Sequence, residues 1–99
     1  MEEVIRLRPM EADFYVNRAY IRYNIDDYFG AMSDYNYAIE LEPFNTAATF
    51  NRALLRYEVK DLERSEADFT TVLEWDASNF HAKYNRGLVR LELEKYREG

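Results

Sequence analysis

The triplet Asn17-Arg18-Ala19 returns as Asn51-Arg52-Ala53 and again as Asn85-Arg86-Gly87, each time 34 residues further along the chain. A fixed period of that length is the mark of stacked helix-turn-helix units and argues against a single closed globule. The flanking columns recur in the same register. Val16, Phe50 and Tyr84 precede the Asn, and Arg22, Arg56 and Arg90 follow one helical turn after the first Arg. Asp34 matches Asp68, Tyr35 matches Phe69, Ile39 matches Leu73, and Asn45 matches Asn79.

The 99 residues suffice for one small domain. Only 3 Gly and 2 Pro are present, so no flexible linker divides the chain. The apolar pattern predicts helices alone. Residues 1–8 read as the end of a helix with Val4, Ile5 and Leu7 apolar, and Pro9 is expected to stop it. Asp13 to about Asn24 is the next, with Phe14, Ala19 and Ile21 facing inward. Asp26-Asp27 breaks it and opens a helix from Tyr28 to Leu41, whose stripe of Tyr28, Ala31, Met32, Tyr35, Ala38 and Ile39 has amphipathic spacing. The pair then repeats from Thr46 to Val59 and from Asp61 to Asp76. Ser78-Asn79 caps a helix from Phe80 to about Leu93, and Lys95 to Gly99 matches only the first turn of a further one.

This pattern resembles the tetratricopeptide repeat family along the whole chain, most clearly at Tyr15-Val16-Asn17-Arg18-Ala19, Tyr28, Ala31, Asp34-Tyr35, Ala38-Ile39-Glu40-Leu41 and Pro43-Phe44-Asn45. The resemblance implies an all-α fold of antiparallel helix pairs stacked as a right-handed solenoid, with the first helix of each pair lining a concave groove. It divides the chain into the end of a preceding repeat (1–11), two full repeats (12–45 and 46–79) and an incomplete one (80–99). Ala19 with Ala31, Ala53 with Ser65, and Gly87 with Gly99 fall where paired helices touch. The sequence departs from the family at Asp26, Lys60 and Glu94, where Gly is usual, at Ala77 in the column of Pro9 and Pro43, and at Arg22, Arg56 and Arg90, where Tyr is common.

No catalytic constellation is present. His81 is the only histidine and there is no cysteine, so neither a transition-metal set nor a thiol nucleophile is available, and no cofactor is expected. The net charge of −6 disfavours nucleic acid and anionic membrane as partners. The acidic, polar start is unlike a signal peptide, and no apolar run approaches spanning length, which points to the cytoplasm.

The resemblance implies a protein or peptide partner. It places Asn17, Asn51 and Asn85 on the concave face, where each amide offers both a donor and an acceptor to a peptide bond. Packed helices lie roughly 10 Å apart and an extended peptide advances about 3.3 Å per residue, so one Asn would meet about every third residue. Val16, Phe50 and Tyr84, then Tyr20, Leu54 and Leu88, then Tyr23 and Tyr57 with Leu91 would wall the same groove. Each Asn would equally serve to tie neighbouring helices together. The family's clamp for a chaperone's C-terminal carboxylates is not expected: Val16 and Tyr20 replace its first Lys and Asn, and His81 and Asn85 its last basic pair, although Asn51 matches. The 16-residue spacing of Arg18 from Asp34 and Arg52 from Asp68 predicts ion pairs across each hairpin, with Arg86 lacking its counterpart. An exposed arginine stripe reading phosphate or an acidic peptide is the alternative, and self-assembly through uncapped ends a further one.

Overall fold

The computed structural model describes the backbone of residues 2–98 and the side chains of residues 11–97. Five helices follow one another: α1 (Glu2–Asn24), α2 (Tyr28–Leu41), α3 (Thr46–Glu58), α4 (Leu62–Trp75) and α5 (Phe80–Glu98). Each packs on the next, and α1 also meets α3, as α3 meets α5, while α2 and α4 do not touch. The first helices of the pairs therefore form one continuous row. That row is the tighter, inner side of an elongated body measuring 55 × 31 × 17 Å. The array is a helical repeat solenoid.

Helix boundaries are set by caps. Asp27 accepts from the Gly30 N–H at 2.9 Å, Asn45 from Ala48 at 2.9 Å, and Asn79 from Ala82 at 3.0 Å. Each satisfies a backbone donor that the first helical turn leaves without a partner. The repetition of Asn45 and Asn79 thus has a local cause.

The same logic corrects two expectations. Pro9 does not end a helix, because α1 runs unbroken from Glu2 to Asn24. Proline removes one intrahelical hydrogen bond but does not by itself start a new helix. In its column, Pro43 follows an extended Glu42 (φ −136°) and precedes the cap Asn45, while α4 ends before Ala77 with no proline at all. Where Asn45 and Asn79 cap, the first unit has Glu11, and the helix continues. Likewise α5 does not stop near Leu93 but extends to Glu98. Asp26 and Lys60 turn the chain in the left-handed region (φ 67° and 69°), and Asp27 and Asp61 then open the second helices. In the third unit Glu94 and Lys95 occupy those positions, and no short polar cap competes with helix propagation. The side chains of Val4, Ile5 and Leu7, and Gly99, lie outside the described residues.

Small residues let the hairpins close. Ala19 and Ala31 are fully buried in one core cluster, Ala53 in the next. Ser65 is also fully buried, and its Oγ donates to the Ala53 carbonyl at 2.7 Å. Tyr35 and Phe69 fill the centres of the two cores.

The hairpins are registered by arginine. Arg18 grips Asp34 through Nε (2.9 Å) and Nη2 (2.8 Å), and Arg22 Nη1 adds a third bond at 3.1 Å. One unit on, Arg52 grips Asp68 at 2.9 Å twice and Arg56 adds 2.8 Å. Inward-facing Phe14 and Ile21 were expected in the same helix, but they are 55% and 60% exposed. Their equivalents Ala48 and Leu55 are buried because α2 covers them, whereas no described helix precedes α1.

Removing the carboxylate of Asp68 should leave two largely buried arginines facing each other. Asp68→Ala is expected to lower unfolding free energy by roughly 3–5 kcal/mol in urea titration. Asp34→Ala should cost less, because Arg18 and Arg22 are about twice as exposed as Arg52 and Arg56 and water screens them. Equal losses at the two sites would contradict the burial argument. Asn79→Ala should cost about 1 kcal/mol by loss of its cap, read in the same titration.

Candidate functional site: the inner row of helices

The concave row brings several of the expected groove residues together, with Asn51 at the centre. On one side a narrow cavity of about 30 Å³ is lined by Tyr20 and Tyr23 of α1, Tyr35 of α2, and Asn51 and Leu54 of α3. On the other, a shallow hollow of about 330 Å³ is lined by Thr46, Ala47, Phe50 and Asn51 of α3, together with Asn79 and His81 at the start of α5. Half-buried Asn51 lines both.

The other residues of the set divide. Asn17 is exposed on α1. Asn85 is half-buried, and its amide donates to the His81 carbonyl of its own helix at 2.8 Å. Val16 is taken into the first core with Ala12, Ala19 and Tyr35 and forms no wall. Phe50 is half-buried, its ring edge-on to Phe69 at 5.5 Å, so it serves core and surface at once. Tyr84 is exposed and stacks on Phe80 at 6.5 Å, and Leu88 is half-buried. Leu91 is exposed on α5, away from both hollows.

Two tyrosines span successive first helices in the repeat register. The Tyr23 hydroxyl reaches Glu58 at 3.4 Å, and Tyr57 stands beside Glu92 in the equivalent position. Burial, and then Glu58, raises the Tyr23 hydroxyl above its ordinary pKa. Tyr57 is raised chiefly by Glu92. Burial pushes Tyr35, at the floor of the narrow cavity, up to about 12. All three hydroxyls stay protonated and able to donate at neutral pH. Glu92 is held below its ordinary range by the Tyr57 hydroxyl and by Lys60, whose Nζ lies 3.2 Å away. Glu92 is thereby tied down at the edge of the inner row, its charge met by Lys60.

Five lining residues lie outside the groove set expected from the sequence: Thr46, Ala47, Asn79, His81 and Tyr35. Ala47 and His81 precede Asn51 and Asn85 by four residues, so the helical turn puts them on the Asn face, and that spacing would have found them. Tyr35 belongs to a core column, and only the gap between α1 and α3 uncovers its tip to the cavity. The arginine stripe, in contrast, is consumed in the first two units. Arg22 and Arg56 share the carboxylates of Asp34 and Asp68 with Arg18 and Arg52.

No family model matches the chain, and no curated protein does. Solved structures do. The first TPR domain of Spaghetti (RPAP3), bound to the HSP90 peptide SRMEEVD, superposes with TM-score 0.82 at 28% identity, over 87% of this chain and 68% of that one. The first TPR domain of human RPAP3, solved by NMR, gives TM-score 0.84 at 26% identity, over 92% and 72% respectively. With five consecutive helices and superposition at this level on two TPR domains, the chain has the tetratricopeptide-repeat fold.

Proposed function

We propose that the chain is a non-enzymatic interaction module that holds an extended peptide or a partner's helix along the row α1, α3 and α5. Asn51 carries this reading, because it borders both inner hollows and its amide can bond both groups of a peptide unit. Tyr20, Tyr23, Leu54 and Phe50 supply apolar walls beside it, with Asn17 and Asn85 further along the same face and Tyr57, Tyr84 and Leu88 at its margins. The units are 12–45, 46–79 and the incomplete 80–99, after the end of an earlier one in 1–11. A cytoplasmic setting fits such a module.

A structural neighbour holds the acidic peptide SRMEEVD. The present groove has different chemistry. Tyr20 stands where a carboxylate-gripping groove would need Asn, His81 and Asn85 stand where it would need its last basic pair, Val16 is buried in place of its first Lys, and Glu58 and Glu92 line the edge. Neutral or basic peptides suit it better.

A second reading, association of copies, has one observation in its favour: the open face of Phe14 and Ile21. Pairing of two such faces across a two-fold axis would cover both. Light scattering decides it, because a monomer at millimolar protein excludes that pairing.

The peptide reading is tested by calorimetry with SRMEEVD and with SRMQQVN, which has lost its three acidic side chains. The peptide without acidic side chains, left with a net positive charge by its arginine, should bind more tightly, and tighter binding of SRMEEVD would overturn the charge argument. Against any bound peptide, Asn51→Ala should cost roughly 1–3 kcal/mol, about one to two factors of ten in affinity, with a smaller effect on melting. Phe50→Ala and Tyr57→Ala should weaken binding by amounts that depend on the peptide. Unchanged affinity with a large loss of stability in Asn51→Ala would return this residue to helix packing.

A further inference from the structure

One side chain of the first core carries a polar atom that packing does not require. Tyr35 is 2% exposed and sits in its cluster as the fully buried Phe69 does one unit on. Phe69 fills that column with a bare ring, edge-on to Phe50. Tyr35 adds a hydroxyl, and no described residue is hydrogen-bonded to it. Every described side-chain nitrogen or oxygen that is closed to solvent has a partner, so this hydroxyl opens into the narrow cavity between α1 and α3. A core tyrosine normally finds a partner for its hydroxyl. A position that keeps one where phenylalanine suffices points to a partner that enters through the opening.

The cavity defines that partner. Its volume of about 30 Å³ gives room for about two water-sized groups. The walls are mostly apolar, from the rings of Tyr20 and Tyr23 and from Leu54. The Tyr23 hydroxyl reaches Glu58 instead, at 3.4 Å. The donor left in the cavity is Tyr35, which burial, with the nearby Tyr20 and Tyr23 hydroxyls, keeps protonated by pushing it up to about 12. One small apolar group and one acceptor are what a threonine side chain presents beyond its Cβ. Valine has the same shape without the acceptor, serine lacks the methyl, and longer side chains exceed the space.

We propose that the cavity between α1 and α3 takes a threonine side chain of the bound peptide, its hydroxyl accepting from Tyr35 and its methyl packing on Leu54. This deepens the groove reading and rests on it, because a backbone held at Asn51 passes the cavity that Asn51 lines. A lone water is the competing occupant, but a held water makes about three hydrogen bonds, and these walls supply few.

The probe is a peptide array on the SRMQQVN frame, each position carrying Thr, Val or Ser in turn. Peptides that differ are remeasured by calorimetry against the intact protein. At one position Thr should bind roughly tenfold more tightly than Val, because Val closes the cavity to water and leaves the Tyr35 hydroxyl without a partner. Ser should fall roughly fourfold below Thr for want of the methyl. Tyr35→Phe should erase the Thr–Val difference without lowering the melting temperature, since Phe69 already serves in that column. Phe50→Ala, on the other side of Asn51, should weaken the Thr and Val peptides by the same factor. Binding with no Thr preference at any position, or a preference that survives Tyr35→Phe, would overturn the inference and leave the groove in place. So would a crystal structure with bound peptide in which a water stays on the Tyr35 hydroxyl. Failure of every array member to bind would overturn the groove reading and this inference with it.

Discussion

The Arg52 guanidinium is the point at which the array is tied together. A single planar group bonds to Asn36 on α2 and Asp68 on α4 while rooted in α3, so three consecutive helices share one rigid fork. A lysine could not do this, because a point charge on a flexible stem does not fix two directions at once. Asp68 is nearly buried, and a buried ion pair adds less to stability than its Coulomb energy suggests. Its larger effect is on register. Small residues at Ala53 and Ser65 let α3 and α4 approach closely, and the fork then decides how far they slide.

Registration of the outer helices positions the inner row. α1 and α3 meet with enough gap to open the tip of Tyr35, and α3 and α5 diverge enough to leave the hollow beside His81. Asn51 has a neighbouring first helix on either side, which sets it apart from Asn17 and Asn85. Asn85 in turn finds a carbonyl of its own helix. Three copies of one residue thus occupy three environments, and an argument from repetition alone treats them as equivalent.

Capping explains why the ends of the array differ from its middle. A new helix starts where a short polar side chain takes an N–H left unpaired in its first turn, as Asn45 and Asn79 do, or where a residue tolerates the left-handed turn and an acidic cap follows. Glu11 and Lys95 occupy those columns at either end, and α1 and α5 run long. Proline is secondary: α4 ends without one and α1 passes through one.

The 34-residue period by itself determined the helix pairs, their order and the solenoid, because a repeated amphipathic unit can bury its apolar face only against its own neighbours. The sixteen-residue spacing also determined the Arg18–Asp34 and Arg52–Asp68 pairs, since it crosses one hairpin turn. Tertiary structure alone decided the rest. Arg22 and Arg56 join the same carboxylates because two residues one turn apart converge when the facing helix is close. Val16 is core because α2 lies over it, whereas Phe14 and Ile21 are open because nothing described does. Burial depends on what stands opposite a residue, and periodicity names only the face on which the residue lies.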